Sequence, residues 1–107
     1  MKKKQQKSFY VLVRKDLDIS YAMTQGGHAI AEYALRCSRE LLNEWNNGTL
    51  YFYGVPSLDK LELWDHKLSI GMTPYAKFFE EDLGGELTAI ACIAQENIFK
   101  GLSKIKI

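Results

Sequence analysis

Proline, cysteine and excess charge are all scarce in this chain. Its 107 residues contain 2 prolines and 2 cysteines, and 14 Lys and Arg against 13 Asp and Glu give a formal net charge of +1. This balance excludes a strong overall attraction to nucleic acid, so an RNA-binding surface requires a local cluster of basic side chains. Because Cys37 and Cys92 lack metal-type spacing, we expect two buried thiols rather than a disulfide or a zinc site.

Long hydrophobic runs are missing as well. Arg14 interrupts the first apolar segment before it reaches the roughly 7 to 15 residues of a signal-peptide core. The longest uncharged apolar stretch elsewhere, 87–94, is far shorter than the roughly 20 residues that span a bilayer. We therefore expect a cytoplasmic protein that has no membrane partner.

The sequence also lacks the motifs of several enzyme classes. It contains no Gly-rich phosphate loop, no His-Glu-x-x-His and no Gly-x-Ser-x-Gly. His28 and Glu32 are spaced as two ligands on one helix face, but a metal centre needs a third ligand nearby. We therefore expect no metal and no cofactor, and a metal site at this pair is the alternative.

Length and composition indicate a single domain, residues 1–107, in which 47% apolar residues supply a modest core. Residues 1–7 form a basic tail with four lysines, and further lysines lie close to the other end of the chain. Lysine clusters of this kind solubilise most proteins that have them and contact RNA in others. Both interpretations stay open from the residues alone.

The hydrophobic pattern alternates between strand and helix types. A continuous apolar run at 9–13 predicts a strand that is buried on both faces. The other predicted elements are a helix over 19–45, a strand over 49–55, a helix begun by Pro56 and Ser57 and ended by Gly71, strands over 73–79 and 86–94 joined by a charged turn, a short helix over 95–102 and an extended end over 104–107. The order β-α-β-α-β-β-α predicts an α/β domain with a four-stranded mixed β-sheet and helices on both faces.

Three side chains are candidates for chemistry by residue type and position. His28 lies in the first predicted helix, one turn after Gln25, and an imidazole acts as a base or proton shuttle near neutral pH. Asp16 ends the first strand and Asp82 lies in the turn before the fourth, where a carboxylate can orient or deprotonate water. The alternative is structural, with a hydrogen-bonded helical histidine and an ordinary solvated turn.

The beginning of the chain resembles a known family. The first strand runs into Arg14, Lys15, Asp16 and Leu17, and the helix then carries Gln25, Gly26, Gly27, His28 and Ala29. This order is similar to that of archaeal and eukaryotic-type peptidyl-tRNA hydrolases, in which a hydrophobic strand runs into Arg-x-Asp-Leu and a helix carries Gln-x-x-His-Ala. The later order of elements also looks similar, so the resemblance spans nearly the whole chain.

This resemblance implies a function and a set of residues. The implied activity is hydrolysis of the ester between peptide and tRNA, with peptidyl-tRNA as partner, no metal, and a homodimer as the assembly. Asp82 and Thr88 match an acid and a threonine that the family uses around the ester. The implied catalytic residues are His28, Asp82, Thr88 and Asp16, and the implied substrate-binding residues are Arg14, Lys15 and Gln25.

Two departures from the family pattern favour a different function. Tyr21 stands where the family has a lysine, four residues before Gln25, and the segment 83–86 does not reproduce the family's Ala-Gly-Arg-Thr turn. The shortened turn looks like the divergent, peptidyl-tRNA-hydrolase-domain-containing branch of the superfamily. The alternative function is a non-catalytic fold-mate that acts as an RNA-binding or protein-interaction module.

Overall fold

The computed structural model describes residues 7–95 and 97–105. Their elements are strand β1 (Ser8–Arg14), helices α1 (Ile19–Arg36) and α2 (Arg39–Trp45), strand β2 (Leu50–Val55), helix α3 (Leu58–Gly71), strand β3 (Tyr75–Glu80), a 3-10 turn (Glu81–Leu83), and strands β4 (Glu86–Ala94) and β5 (Ser103–Lys104). The α/β class is confirmed, and the first four strands begin and end within two residues of their predicted bounds.

Five strands form one mixed sheet in the order β3-β4-β1-β2-β5. The central strand β1 is parallel to β2 and antiparallel to β4, and the edge strands β3 and β5 pair antiparallel with β4 and β2. This central position explains the continuous apolar run of β1, because both of its faces are covered. The predicted count of four strands is wrong. The fifth strand, β5, has two residues, too few to leave a periodic pattern.

The two faces of the sheet carry separate cores. Phe9, Val11 and Val13 lie in a core with α1, against which α2 also packs. Tyr10 and Leu12 lie in the core that contains α3. Successive side chains of a strand point to opposite faces, so β1 serves both cores at once. The prediction of helices on both faces is confirmed.

Gly26 lets α1 approach the sheet closely. A Cβ atom at this position would lie 2.5 Å from Cε2 of Phe52 and 3.1 Å from Cγ1 of both Val11 and Val13. At Gly27, by contrast, a Cβ would meet nothing within 4 Å. Close packing therefore explains the glycine at position 26, because any side chain there would push α1 away from β1 and β2.

The first helical segment is two helices, so the prediction of one helix over 19–45 is wrong. The Asp18 side chain caps α1 by accepting from the backbone N–H of Ser20, but α1 ends at Arg36. Ser38 then begins α2, and its hydroxyl accepts from the backbone N–H of Leu41 at 3.0 Å. The apolar spacing continues across this break without Gly or Pro, and the serine N-cap is its local signal.

The predicted helix over 95–102 is also wrong, because the described residues of this segment form a turn at 98–101. The Asn97 side chain accepts from the backbone N–H of Phe99 at 2.9 Å, and Gly101 has φ +96°. A side chain that bonds its own backbone competes with helical hydrogen bonds. Phe99 is fully buried in the α3 core and anchors the turn there. The predicted extended end includes β5, and residues 106 and 107 lie outside the described residues.

Two further predictions concern membranes and thiols. Across residues 7–95 and 97–105, no helix combines the length and the apolar character needed to cross a bilayer. Cys37 and Cys92 are free thiols, the first half-buried and the second buried. Burial raises the pKa of the Cys92 thiol to about 12, so this thiol is protonated and inert at neutral pH.

Candidate functional site

The candidate site is assembled at an irregularity in β4. The β3–β4 register shifts between Phe78 and Phe79, which pair with Ala89 and Leu87 and leave Thr88 without a partner on β3. An extra residue of this kind is a β-bulge, which re-aims a side chain out of the normal alternation. The Thr88 hydroxyl accordingly reaches α1, as does the neighbouring Ala89, which packs in the α1 core.

A buried glutamine connects this bulge to the surface. Gln25 is 1% exposed and Thr88 is 0% exposed, and the Thr88 hydroxyl donates to Oε1 of Gln25 at 2.7 Å. Nε2 of Gln25 donates in turn to Oε1 of Glu80 at 3.0 Å. Because a carboxylate only accepts, the direction of both hydrogen bonds is fixed. The three side chains form one relay that runs from the core to the end of β3.

Glu80 presents a fixed, ionised carboxylate. Its second oxygen, Oε2, accepts from the backbone N–H of Asp82 at 3.3 Å. The hydrogen bond from Gln25 is the largest cause that lowers the pKa of Glu80, followed by the Asp82 backbone and, after a small opposing effect of burial, the charge of His28. Both carboxylate oxygens therefore have protein donors that favour the charged form.

His28 is exposed on α1, beside Glu80. Its imidazole stacks on the ring of Phe78, with ring centroids 4.5 Å apart and planes 20° apart. The helix places His28 one turn after Gln25, and the charge of His28 acts on the pKa of Glu80. An exposed imidazole near an ionised carboxylate is a candidate general base.

Tyr21 completes this group, which we call the Gln25 cluster: Gln25, Thr88, Glu80, His28 and Tyr21. The pKa values of Tyr21 and Glu80 influence each other, which places the Tyr21 hydroxyl near the Glu80 carboxylate. Desolvation is the first cause that raises the pKa of Tyr21, and the negative charges of Glu80 and Asp82 raise it further. The hydroxyl therefore stays protonated at neutral pH and acts as a hydrogen-bond donor.

Arg14 and Asp16 belong to a second group, the Arg14 cluster, which contains Arg14, Asp16 and Glu86. Arg14 is 6% exposed, and its Nε and Nη2 donate to the two carboxylate oxygens of Asp16 at 3.0 and 2.7 Å. Nη1 donates to Oε1 of Glu86 at 2.8 Å and to the carbonyl of Leu87 at 3.2 Å. Hydrogen bonding to Asp16 is the largest cause that raises the pKa of Arg14, and the same contact lowers the pKa of Asp16.

Lys15 lies apart from the Gln25 cluster. It is exposed and lines a cavity of about 380 Å³ together with Ile19 and Met23 of α1. At 3.6 residues per turn, Met23 points about 140° away from His28 around the helix axis. The cavity and the Gln25 cluster therefore lie on different sides of α1.

The structure thus brings some predicted site residues together and separates others. His28, Gln25 and Thr88 share the Gln25 cluster, and Asp82 joins it through its backbone N–H while its side chain is exposed. The remaining three, Arg14, Lys15 and Asp16, lie outside it.

Sequence reasoning missed Glu80 and Tyr21. Glu80 looks like the first residue of a solvated acidic turn, although it shares strand parity with Ala76 and Phe78, which pack against the α1 core. That parity is the signal that a turn-based interpretation overlooks. Tyr21 lies four residues before Gln25 and seven before His28, the spacing of one helix stripe.

The described residues 7–95 and 97–105 contain no group of three or more His, Cys, Asp or Glu side chains arranged to hold a metal ion. Glu32, the second member of the alternative metal pair, is ion-paired with Arg36. Comparison of the chain with protein-family models finds no matching family, and a search of curated proteins finds no similar sequence. Function is therefore inferred from the residues and their geometry.

Proposed function

We propose that this protein hydrolyses the ester bond of peptidyl-tRNA. The hydrogen bond between Gln25 and Thr88 carries the proposal. These residues are 63 positions apart and belong to the two separate segments in which the chain resembles peptidyl-tRNA hydrolases. With His28 one turn away on α1, their contact joins both segments in one polar cluster. This convergence supports a reaction site rather than a lone helical histidine and an unrelated solvated turn.

In the proposed reaction, His28 is the general base. It takes a proton from a water molecule whose oxygen attacks the ester carbonyl carbon. The tetrahedral intermediate then expels the ribose oxygen, which receives that proton from the imidazolium. In this mechanism the negative charge of Glu80 offsets the positive charge that develops on the imidazole, since the charges of the two residues interact. A positioned general base contributes about 10²- to 10⁴-fold to such a rate.

Thr88 and Gln25 are positioning residues in this mechanism. Thr88 is fully buried, and its single hydroxyl proton is donated to Gln25, so it has no proton left for an oxyanion. We therefore assign the developing oxyanion to a backbone N–H donor. Asp82 is exposed and keeps its predicted role of orienting the attacking water.

Contacts with RNA are assigned differently from the sequence-based prediction. The Arg14 guanidinium is buried between its own carboxylate partners, and Lys15 lies on the other side of α1 from His28. We therefore leave both residues out of the ester site. The basic tail, of which Lys7 alone is described and pairs with Glu44, is the proposed source of phosphate contacts.

The test is the release of an N-acetylated amino acid from N-acetyl-aminoacyl-tRNA by the purified protein. The wild type should turn over, and His28→Ala should lose about 100-fold or more of the rate, because the base is removed. His66→Ala is the matched control, since His66 is also exposed on a helix but lies on α3, across the sheet. A folded wild type without turnover, or His28→Ala at wild-type rate, would contradict the proposal.

The second candidate is the non-catalytic module, and Tyr21 is the observation that favours it. A neutral phenol, whose pKa the negative charge of Glu80 helps to raise, stands at the position where the resembled family has a lysine. The alternative predicts that the wild type binds tRNA or a protein without cleaving the ester. Binding of N-acetyl-aminoacyl-tRNA in a gel-shift measurement, with no product released, would favour this module over the hydrolase.

The proposed assembly rests on the family resemblance, and the proposed location rests on the substrate class. We propose a homodimer that acts in the cytoplasm, where translation supplies peptidyl-tRNA. Sedimentation equilibrium tests the assembly directly. A mass of about twice the 12.3 kDa of one chain supports the dimer, and the mass of a single chain contradicts it.

A further inference from the structure

An apolar recess lies away from the Gln25 cluster. It is a cavity of about 380 Å³ between the first turns of α1, the end of β1 and the β5 segment. Its apolar lining comes from Val13, Leu17, Ile19, Met23 and Ile105. Pockets of this size and lining hold small ligands, and the carboxyl ends of strands in α/β sheets are common places for them.

Arg14, Lys15 and Lys104 are the cationic residues that line this cavity. Lys15 is exposed, and among the described residues it has no ion-pair partner. A Cβ atom at Gly54 would lie 2.5 Å from Cγ of Lys15 and 3.0 Å from Cδ1 of Ile105. Gly54 therefore leaves the space in which the aliphatic stem of Lys15 lies on β2 beside Ile105, and both residues line the cavity.

The surroundings of Lys15 favour one negative charge on the ligand rather than two. The backbone N–H of Lys15 already donates to the Val55 carbonyl at 2.7 Å, so it is not free for a phosphate. Arg14 is paired with Asp16 and Glu86, and the Lys104 ammonium lies 4.7 Å from the centroid of the Tyr51 ring. Among the described residues Lys15 therefore supplies the unpaired ammonium group at this cavity, which suits a monoanion.

From this arrangement we infer that the cavity binds a small apolar monocarboxylate, with its hydrocarbon part between α1 and β5 and its carboxylate on Lys15. The inference is independent of the proposed hydrolysis, because the cavity and the Gln25 cluster lie on different sides of α1. Each additional methylene group that the cavity accepts should strengthen binding about fourfold. The gain should stop when the chain exceeds the cavity.

Titration with sodium hexanoate, octanoate and decanoate tests the site, with the methyl resonances of ¹³C-labelled methionine as the readout. Octanoate should shift the Met23 methyl resonance in a saturable way. The Met72 methyl is the internal control, because Met72 is 88% exposed after α3 and lies outside the cavity. Absence of a saturable Met23 shift, or an equal shift of Met72, would overturn the inference.

Charge and shape are tested by ligand and protein variants. Octyl phosphate, 1-octanol and octylamine should all bind more weakly than octanoate, and equal binding of any of them would contradict a monocarboxylate site. Lys15→Ala should weaken octanoate about fivefold, whereas Lys60→Ala, which removes an exposed lysine from α3, should not. Met23→Trp should also weaken binding, because its indole fills part of the cavity. Unchanged affinity in both Lys15→Ala and Met23→Trp would overturn the site.

Discussion

Two charged clusters flank the start of β4, and they differ in how their hydrogen bonds are used. In the Arg14 cluster, the guanidinium donates four hydrogen bonds to groups of the protein, and Arg14 is 6% exposed. Its donors are therefore used inside the protein. In the Gln25 cluster, the buried members hold a carboxylate and an exposed imidazole at the surface. Both clusters contain residues that the sequence marks as candidates. The comparison teaches that the direction of the hydrogen bonds, more than residue type, separates a structural ion pair from a candidate reaction site.

The largest expected effect concerns the Arg14 cluster. Arg14→Leu leaves Asp16 and Glu86 without their shared donor, and it should lower the free energy of unfolding by about 3 kcal/mol. The loss is at the lower end of the range for broken buried pairs because both carboxylates are partly exposed. Urea denaturation measures it. Arg36→Leu, at an exposed ion pair of α1, is the control and should cost less than about 1 kcal/mol.

Substitutions at two neighbouring glycines test how closely α1 packs on the sheet near the Gln25 cluster. Gly26→Ala should lower the free energy of unfolding by about 2 kcal/mol, because its Cβ collides with Phe52 and the two valines of β1. Gly27→Ala meets open space and should raise it by up to about 1 kcal/mol, as alanine is the better helix former. Equal effects of the two substitutions on thermal or urea denaturation would contradict the close approach at Gly26.

The relay inside the Gln25 cluster is tested by Thr88→Val, which keeps the side-chain shape and removes the hydroxyl. Oε1 of Gln25 then lacks its donor in a buried place, so the free energy of unfolding should fall by about 1–2 kcal/mol. Turnover should fall as well, because Gln25 no longer holds Glu80 in one orientation. Thr24→Val, on the exposed side of α1, is the matched control. Wild-type turnover in Thr88→Val would remove the relay from the mechanism.

The smallest effect is a pH dependence. The pKa of Asp16 is lowered in the folded protein, chiefly by the hydrogen bond from Arg14. A group whose folded pKa is depressed stabilises the fold above its unfolded pKa, about 3.9 for Asp, and loses that contribution as pH falls through the folded pKa. The stability difference between wild type and Asp16→Asn should therefore be constant near neutral pH and shrink below about pH 4. A difference that grows in acid would contradict this assignment.

Much of the fold follows from the sequence, because its signals are periodic. The apolar run of β1 predicts a central strand, and the bounds of β4 match their prediction. The sequence pattern predicted neither the two-residue strand β5 nor the break between α1 and α2 at Ser38, because neither feature interrupts a hydrophobic period. These features depend on single hydrogen bonds, which a pattern averaged over many residues does not detect.

Only part of the candidate site could be predicted from the sequence. The order of residues in the chain identifies His28, Gln25 and Thr88 as candidates. The contact between Gln25 and Thr88 depends on the bulge in β4, which no residue type predicts. Glu80 was hidden by the acidic residues beside it, since a charged turn is usually solvated. The Arg14 pairing was equally invisible, because it joins residues 72 positions apart, and sequence order does not show which charges neutralise each other.

The most direct test of the central claim is the rate of ester hydrolysis in two neighbouring acidic variants. Glu80→Gln removes the charge beside His28, whereas Glu81→Gln removes an exposed charge one residue later. With N-acetyl-aminoacyl-tRNA as substrate, Glu80→Gln should lose about tenfold or more of the wild-type rate, and Glu81→Gln should retain it. Equal rates in the two variants, or no turnover by the folded wild type, would contradict a reaction site built on the Gln25 cluster.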